Sequence, residues 1–368
     1  MPDACCPGES ARDDQIAHPD DQRHRECRQE DGEPHAPALH ETGARQQTEK
    51  PVISPVVTRF APSPTGRLHI GHAFSAIAAH DFARARDGAF LVRIEDIDGT
   101  RSRAEHVDAI LADLNWLGLE WDGEVLFQSS RLDAYQAVLD DLRARGLIYP
   151  CFCTRADIAA SASAPHGPEG VVYPATCRGL DAPDLSVPHC WRLDVGAAIS
   201  VLPRQGEVAP KATEGEDGCA PSTSVLPPPP SALRAATSPW RGRINGLTFT
   251  DSRFGTILAD PAAHGDIVLA RKDAPASYHL AVTIDDAAQG VTDVVRGEDL
   301  LAATHVHRLL QALLDLPVPR YHHHALLTGP DGARLAKRHG APTLAALREA
   351  GEDGRALAAA LRRGEVPI

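Results

Sequence analysis

The sequence lacks the features that mark membrane and exported proteins. None of its apolar runs approaches the roughly 18 residues that a membrane-spanning helix needs, which excludes an integral membrane protein. The first residues contain no apolar stretch of a signal peptide, and their many acidic side chains argue against a transit peptide. We therefore expect a cytoplasmic protein, in which clustered cysteines favour metal binding over disulfides.

An excess of positive charge is also missing. The 368 residues carry a formal net charge of -13, from 37 Lys and Arg against 50 Asp and Glu. A protein that binds nucleic acid through bulk electrostatics is basic, so composition alone favours no RNA ligand. Any RNA must be held by a local basic surface on an acidic body.

Two segments lack the apolar residues that a folded core requires. Residues 1–50 contain no Val, Phe, Tyr or Trp, and only Ile16 and Leu39 are branched aliphatic residues. Residues 196–243 are of low complexity and contain the proline run Pro227–Pro230. Such segments bury too little apolar surface to offset their conformational entropy. We predict a disordered N-terminal extension and a disordered insertion.

Strand-like and helix-like patterns alternate along the rest of the chain. A short strand at 56–60 precedes a turn rich in Pro and Gly, a helix at 70–86 and a second strand at 89–94. This order is typical of an α/β protein with a parallel sheet and crossover helices. Further helices are predicted at 104–117, 132–142 and 303–314, and further strands at 266–270, 279–284, 293–295 and 321–327.

The first strand and the first helix are joined by a short loop. A helix N-terminus presents unpaired N–H groups and the positive end of the helix dipole, which suit a polyphosphate. His69 and His72 lie on the same side of the first helical turn, and Gly71 leaves room for a ligand to approach the backbone. An isolated pair of histidines at this spacing is a surface feature about as often as it is a binding site. The prolines and the glycine before this pair favour a binding loop.

These residues carry a resemblance to a known family. His69-Ile70-Gly71-His72 resembles the signature tetrapeptide of class I aminoacyl-tRNA synthetases. The phrases that resemble those of its glutamyl and glutaminyl subgroup are Arg59–His72, Val92–Asp98 with Arg101, and Gly290–Leu300. The resemblance covers roughly 54–194 and 244–345. It implies a Rossmann-like catalytic domain at 51–346, an inserted zinc-binding lobe at about 147–260 and a short helical tail at 347–368.

The resemblance also implies a reaction, the activation of L-glutamate by ATP and Mg²⁺ as glutamyl-adenylate. Negative charge grows on the phosphoryl oxygens during this reaction, and positioned cations stabilise it. Catalysis is implied for His69, His72 and Lys337, and ATP binding for the same three residues and Gly71. Glutamate binding is implied for Arg59, Phe60, Ala61, Pro62, Ser63, Glu95, Tyr278 and Arg296.

The chemistry of these side chains agrees with those roles. The two arginines can pair with carboxylates in planar geometry, and Glu95 can accept hydrogen bonds from an ammonium group. The alternative for Glu95 is a plain salt bridge with Arg93 or Arg101. The three acids at 95, 96 and 98 crowd one strand end, which favours function over stability.

A second class signature resembles the segment Arg334–Arg338. It departs from the usual Lys-x-Ser-Lys pattern, because Arg334 replaces the first Lys and Ala336 replaces the Ser. The family's role falls on Lys337, which keeps its charge. The hydroxyl lost at 336 affects only a secondary contact.

A cysteine cluster indicates a metal site. Cys151 and Cys153, with Cys177 after a loop, can converge on a tetrahedral Zn²⁺. The resemblance adds Tyr173 as the remaining ligand. His166 and Cys190 compete for that position, and three reduced cysteines without metal are the alternative.

The number of residues after Lys337 helps to predict which molecule accepts the glutamyl group. Only residues 338–368 follow Lys337, whereas an anticodon-binding domain needs at least about 50 residues. Within the subgroup this favours enzymes that transfer glutamate to the queuosine base in the anticodon of tRNA(Asp), here as a monomer. The alternatives are a truncated synthetase that charges the 3′ end of tRNA(Glu), and a catalytically silent paralogue that binds RNA or a partner protein.

Overall fold

The computed structural model describes residues 55–160, 166–168, 170–202, 246–328 and 342–365. The strands are β1 (Val57–Phe60), β2 (Ala89–Ile94), β3 (Leu126–Phe127), β4 (Ile148–Cys151), β5 (His166–Gly167), β6 (Gly170–Val171), β7 (Cys190–Leu193), β8 (Thr248–Asp251), β9 (Gly255–Leu258), β10 (Val268–Ala270), β11 (Asp293–Gly297) and β12 (Arg320–His324). The α-helices are α1 (Ile70–Arg84), α2 (Ala104–Trp116), α3 (Leu132–Ala144), α4 (Arg155–Ala160), α5 (Val195–Ser200), α6 (Tyr278–Ala288), α7 (Leu301–Leu313), α8 (Leu344–Glu349) and α9 (Gly354–Arg362). Among these described helices, none is both long and apolar enough to cross a bilayer.

Parallel strands form the centre of the molecule. β1, β2 and β3 pair in parallel, as do β11, β12 and β8, while β9 adds an antiparallel edge. The backbone N–H of Thr292 donates to the carbonyl of Val57 at 3.0 Å, so β1 lies beside the start of β11. The predicted Rossmann-like arrangement of parallel strands and crossover helices is confirmed.

Small side chains let α1 pack closely on this sheet. Ala73, Ala76 and Ala79 are fully buried, and the Thr58 hydroxyl in β1 donates to the Ala79 carbonyl at 2.9 Å. Burying apolar surface in this way contributes roughly 25 cal/mol per Å². The close packing fixes the start of α1 at the carboxyl end of β1.

A second, antiparallel sheet with the order β10-β7-β4 carries the cysteine cluster. Its boundaries differ from the predicted lobe at 147–260. β8 and β9 lie within that range but belong to the central sheet, whereas β10 lies beyond it and completes the lobe's sheet. The chain therefore passes from the lobe to the central sheet and back before α6 begins.

The predicted strand at 279–284 is wrong, because these residues lie in helix α6. Val282, Thr283 and Ile284 favour strands through their β-branched side chains. The helix is instead started by Ser277, whose hydroxyl caps the N–H of Leu280, and it is buried on nearly all sides. The tertiary context of the run therefore overrides its β propensity.

The first residues of the insertion predicted at 196–243 are folded. Residues 195–200 form α5, which is capped by the Asp194 carboxylate and buries Ala198 and Ile199. The rest of the predicted insertion, from residue 203, lies outside the described residues, as does the predicted extension at 1–50.

The C-terminal helices are part of the core. The predicted tail begins at 347, but α8 begins at Leu344, which is fully buried in the same apolar cluster as α1 and β2. Gly354 at the start of α9 lies so close to Trp116 that an added Cβ would stand 2.3 Å from the Trp116 carbonyl oxygen. The segment thus packs against α2 as an integral element.

Candidate active site

A cavity of about 420 Å³ lies at the carboxyl ends of the central parallel strands, beside the start of α1. Crevices at this edge are the usual ligand sites of open α/β sheets. The cavity is lined by these residues singled out from the sequence: Arg59, Phe60, Ala61, Pro62, Ser63, His69, Gly71, His72, Glu95, Tyr278 and Arg296. Lys337, the remaining predicted catalytic residue, lies outside the described residues.

The two histidines of the loop form a pair at the N-terminus of α1. Their ring centroids are 3.9 Å apart. The Nδ1 atom of His69 accepts the N–H of Gly71 at 3.1 Å, and Nδ1 of His72 accepts the N–H of His69 at 3.2 Å. Because each Nδ1 is an acceptor, each Nε2 carries a proton and can donate to an anion.

The helix end itself adds to this preference for negative charge. The first turn of α1 contains no acidic residue. The positive end of the helix dipole therefore meets the cavity together with the two imidazole donors. This corner of the cavity suits phosphate groups.

Arg59 is held by the buried carboxylate of Asp286, which does not itself line the cavity. The Nε and Nη2 atoms of Arg59 donate to the two oxygens of Asp286 at 2.9 and 3.3 Å. The fully buried Arg93 donates to the same carboxylate at 2.8 Å and to Gln289 at 2.9 Å. Burial opposes the charge of Asp286, but the two guanidinium groups hold its pKa below the ordinary value.

Glu95 presents a carboxylate with an unused acceptor. It forms the alternative ion pair with Arg93, whose Nη2 lies 3.5 Å from Glu95 Oε1, but this buried oxygen accepts no hydrogen bond from the described residues. Arg101, the other alternative partner, pairs with Asp98. Burial raises the pKa of Glu95. An ammonium group in the cavity would satisfy this oxygen and favour its charged form.

Arg296 presents a guanidinium without a counter-ion. It is 5% exposed, and it forms no ion pair with a carboxylate among the described residues. It donates to the Tyr278 hydroxyl, the Leu300 carbonyl, the Thr304 hydroxyl and His323. A buried cation without an anion is costly, so a carboxylate ligand would stabilise it.

The cysteine cluster lies in the antiparallel lobe. The sulfur atoms of Cys151, Cys153 and Cys177 lie within 4.8 Å of one another. Cys153 Sγ is 3.6 Å from Cys177 Sγ and 3.7 Å from the Tyr173 hydroxyl. Two sulfurs on a tetrahedral Zn²⁺ are separated by about 3.8 Å, since Zn–S bonds are ~2.3 Å. The spacing therefore fits zinc.

The candidates for the fourth zinc ligand differ in their position relative to the three sulfur atoms. The Cys190 thiol donates to the Cys151 carbonyl at 3.4 Å and lies beside the Cys151 thiol, but it is not one of the three cysteines whose sulfurs lie within 4.8 Å of one another. Tyr173 also accepts the N–H of Cys177 at 2.8 Å, which fixes its hydroxyl beside the sulfurs. The side chain of His166 lies outside the described part of the chain. Of the two described competitors, Tyr173 fits the cluster better.

A second cavity, of about 1160 Å³, lies between the lobe and the central sheet. It shares Ser63, Glu95 and Tyr278 with the first cavity, so the two are continuous. Arg155 and Lys272 are exposed on its wall. A large ligand can thus reach the first cavity while contacting cations at the lobe.

Sequence reasoning missed the residues that support the site from behind. Asp286 holds Arg59, and His323 contacts Arg296, yet neither was assigned a role. A signal for Asp286 existed in the acidic pair at 285 and 286, which ends an apolar run. For His323 the triplet at 322–324 was recognised as a strand, but strand alternation does not show what each ring contacts.

Comparisons with known proteins agree with this geometry. The family model described as tRNA synthetases class I (E and Q), catalytic domain, matches residues 55–167 and 236–367. The glutamyl-Q tRNA(Asp) synthetase of Rhodobacter capsulatus is 44% identical over 80% of this chain and 96% of its own length. That of Symbiobacterium thermophilum is 42% identical over 80% and 81%, respectively.

Longer synthetases are also similar. The glutamate–tRNA ligase of Oleidesulfovibrio alaskensis is 36% identical over 81% of this chain but only 54% of its own length. The crystal structure of a glutamate tRNA ligase from Elizabethkingia meningosepticum superposes with a TM-score of 0.55 at 24% identity, covering 78% of this chain and 52% of that one. The structural likeness shows the fold alone. By the family match and the relatives of similar length, this chain belongs to the class I tRNA synthetases of the E and Q type, in the group of the glutamyl-Q tRNA(Asp) synthetases.

Proposed function

We propose that the chain activates L-glutamate with ATP as glutamyl-adenylate and transfers the glutamyl group to the queuosine base in the anticodon of tRNA(Asp). One observation carries the proposal. The half-buried Glu95, with one buried oxygen that accepts no hydrogen bond, and the buried Arg296, with no counter-ion among the described residues, line one cavity beside a helix N-terminus with two imidazole donors. The names of the relatives at 44% and 42% identity support the acceptor.

Glutamate carries the complementary charges. Its ammonium group would donate to Glu95, and its two carboxylates would accept from Arg59 and Arg296. Binding at three charged points fixes the orientation of a small ligand that has little apolar surface. The Tyr278 hydroxyl, which accepts from Arg296 at 3.1 Å, adds a further polar contact.

The α-carboxylate would attack the α-phosphorus of ATP, and pyrophosphate would leave. The Nε2–H groups of His69 and His72 would donate to phosphate oxygens, with the ammonium of Lys337 in the same role. Magnesium bound to ATP neutralises part of the phosphate charge. Since charge develops on oxygens during this step, donors fixed in advance contribute more than acid–base groups.

The transfer step needs a hydroxyl group at the adenylate. A hydroxyl of the acceptor would attack the glutamyl carbonyl, AMP would leave, and an ester would form. The second cavity offers the path, because it joins the first and carries Arg155 and Lys272 on its wall. A large ligand that reaches the adenylate this way would meet these cations with its phosphates.

The lobe would hold a structural Zn²⁺ through Cys151, Cys153, Cys177 and Tyr173. The support is the separation of these ligand atoms. Such an ion would tie β4 to the loop at 173–177 and so shape one side of the second cavity. All residues invoked belong to one chain, so a monomer suffices, and a tRNA substrate implies a cytoplasmic enzyme.

Two assays test the proposal. Glutamate-dependent exchange of pyrophosphate into ATP, without RNA, should proceed because each residue proposed for activation belongs to this chain. Exchange that requires tRNA would contradict that step. Labelled glutamate should then be transferred to tRNA(Asp) that contains queuosine and not to tRNA(Asp) that lacks it.

The acceptor assay also separates the alternatives. Charging of tRNA(Glu), with the label lost when its 3′ adenosine is removed, would establish a synthetase of the ordinary glutamyl type. Absence of both exchange and transfer would establish the silent paralogue.

A further inference from the structure

A hydrogen-bonded chain of side chains runs behind the cavity, from Asp251 in β8 through His323 in β12 to Arg296 in β11. His323 Nδ1 lies 2.7 Å from Asp251 Oδ2, and Arg296 Nε lies 3.1 Å from His323 Nε2. The three residues are at most 5% exposed. They stand on adjacent strands of the central sheet, and only Arg296 reaches the cavity.

The partners fix the position of the proton on His323. A guanidinium can only donate, so Nε2 of His323 must be the acceptor. The ring proton is therefore on Nδ1, and it is donated to Asp251. Burial, and then Arg296, lower the pKa of His323 to about 4, so the imidazole is neutral at pH 7, as this arrangement requires.

The carboxylate of Asp251, the first member of this hydrogen-bonded chain, is held rigidly. Besides the imidazole, its carboxylate accepts the backbone N–H groups of Arg253 at 2.8 Å, Phe254 at 3.0 Å and His323 at 3.1 Å. These bonds fix both oxygens relative to β8 and β12. The position of the imidazole is thereby fixed as well.

The other contacts of Arg296 use most of its N–H groups and leave one for a ligand. Nη2 donates to the Leu300 carbonyl and the Thr304 hydroxyl, and Nη1 donates to Tyr278. Together with Nε on His323, four of the five N–H bonds have protein acceptors. One Nη1 hydrogen remains for a ligand in the cavity.

We infer that His323 and Asp251 are positioning residues for glutamate: they hold the Arg296 guanidinium in the plane in which its remaining N–H meets a substrate carboxylate. The inference rests on the proposed function, since it assumes that Arg296 binds glutamate. Neither residue touches the substrate. Their effect is to remove the rotational freedom that Arg296 would otherwise lose on binding.

The same strand offers a matched control. His322 also pairs with a buried carboxylate, with Nε2 at 2.8 Å from Asp293 Oδ1. It does not line the cavity and makes no hydrogen bond to Arg296 among the described contacts. A change at 322 therefore removes a similar histidine–carboxylate pair without releasing Arg296.

The test compares His323→Leu, His323→Gln and His322→Leu in pyrophosphate exchange. His323→Leu should raise the KM for glutamate about 10- to 100-fold, the scale of one lost hydrogen bond to a charged group, and leave the KM for ATP unchanged. Glutamine can accept from Arg296 and donate to Asp251, so His323→Gln should return the KM to within about threefold of wild type. His322→Leu should keep the wild-type KM for glutamate.

A spectroscopic measurement covers the case in which His323→Leu does not fold. The ¹⁵N chemical shifts of His323 in wild-type protein should show a protonated Nδ1 and an unprotonated Nε2. The reverse tautomer would overturn the inference. So would an unchanged KM for glutamate in His323→Leu while wild type is active. Wild-type protein without any glutamate-dependent exchange would refute the proposed function itself.

Discussion

At the scale of single residues, the site places charges where the folded protein alone would disfavour them. Arg296 is buried, as is the Oε1 atom of the half-buried Glu95, and each residue has a hydrogen-bonding position that no described residue fills. Unsatisfied buried charges destabilise a fold, so a ligand that completes them binds strongly. Function and stability are in conflict at these two positions.

Glu95→Gln tests this conflict. The amide cannot offer a negative charge to an ammonium group, so the KM for glutamate should rise about 10- to 100-fold, the scale of a lost charged hydrogen bond. Burial raises the pKa of Glu95, so the ionised form is disfavoured in the folded state. The variant should therefore unfold at the same or a higher temperature. A large loss of thermal stability without a change in KM would contradict the assignment.

Lys337→Ala tests the second class signature. Its ammonium would act on charge that develops in the transition state, so the adenylation rate should fall while glutamate binding stays nearly constant. The expected loss is about 2.7–4 kcal/mol, the scale for one preorganised donor. Rapid-quench measurement of adenylate formation checks this. An unchanged rate would transfer the role to Arg334 or Arg338.

At the scale of single residues, the sequence predicts which side chains lie together where those residues are close in the chain. The loop at 59–72 is contiguous, so its spacing alone places two histidines at one helix start. Asp286 and Asp251 act on Arg59 and Arg296 from more than 40 positions away along the chain. Such contacts depend on which strands become neighbours, and a single sequence does not contain that information.

At the scale of elements, helix α2 is joined to α8 by a buried carboxylate. Asp113 is fully buried, and Arg348 donates to its Oδ1 at 3.3 Å. Oδ2 has no hydrogen-bond partner among the described residues. Burial outweighs the cation and raises the pKa of Asp113 from 3.8 to about 6.

This shift predicts the pH dependence of Asp113→Asn. The folded pKa lies above the unfolded value, so the group's contribution to stability is present below pH 3.8 and is lost as the pH rises through about 6. The loss is at most about 3 kcal/mol. The variant lacks this dependence, so its unfolding free energy relative to wild type should increase between pH 5 and pH 7.5. Urea unfolding measures it, with the exposed Asp108→Asn as the control; a constant difference would refute the pKa shift.

Metal analysis and metal removal test whether the cysteine cluster of the lobe binds zinc. Purified protein should contain one Zn²⁺ per chain, and Cys153→Ser should contain much less. A chelator should lower the unfolding temperature of wild type, because metal binding contributes to folding free energy. Cys190→Ser should keep its zinc, because Cys190 is not one of the three clustered cysteines. Metal-free wild-type protein with normal activity would return the cluster to plain thiols.

The helices predicted at 70–86 and 104–117 appear as α1 and α2. The sequence of α6 contains the β-branched run Val282–Ile284 and therefore predicts a strand, whereas its buried position in the fold selects a helix. The short α5 was missed because it stands at the start of a region of low complexity.

At the scale of the whole molecule, an acidic protein must recognise a polyanion. The net charge is -13, yet Arg155 and Lys272 lie exposed at the second cavity. Local cations suffice for phosphate contacts, because salt screens charges farther away than about 8–10 Å. Binding of tRNA should accordingly weaken with salt.

The double change Arg155→Glu with Lys272→Glu tests this surface. Transfer to tRNA should fall at least about tenfold, and the salt dependence of binding should become shallower, because two phosphate contacts are lost. Pyrophosphate exchange should continue, since neither residue lines the first cavity. The control for net charge is the double change Arg355→Glu with Arg363→Glu, at two exposed positions in and just after α9, which alters the charge by the same amount. An equal loss of transfer in the control would show that bulk charge, and not this surface, binds RNA.

The return of the chain from β12 to α8 has a consequence for Lys337. Thr343 forms a β-bridge with His69, and the N–H of Leu344 donates to the Leu68 carbonyl at 2.9 Å. Leu326 and Leu327 line the cavity before the described chain stops, and it resumes beside the histidine loop, so both ends of the segment that contains Lys337 are held at this corner. A group carried on a segment tethered at both ends has a higher effective concentration at the site than the same group free in solution.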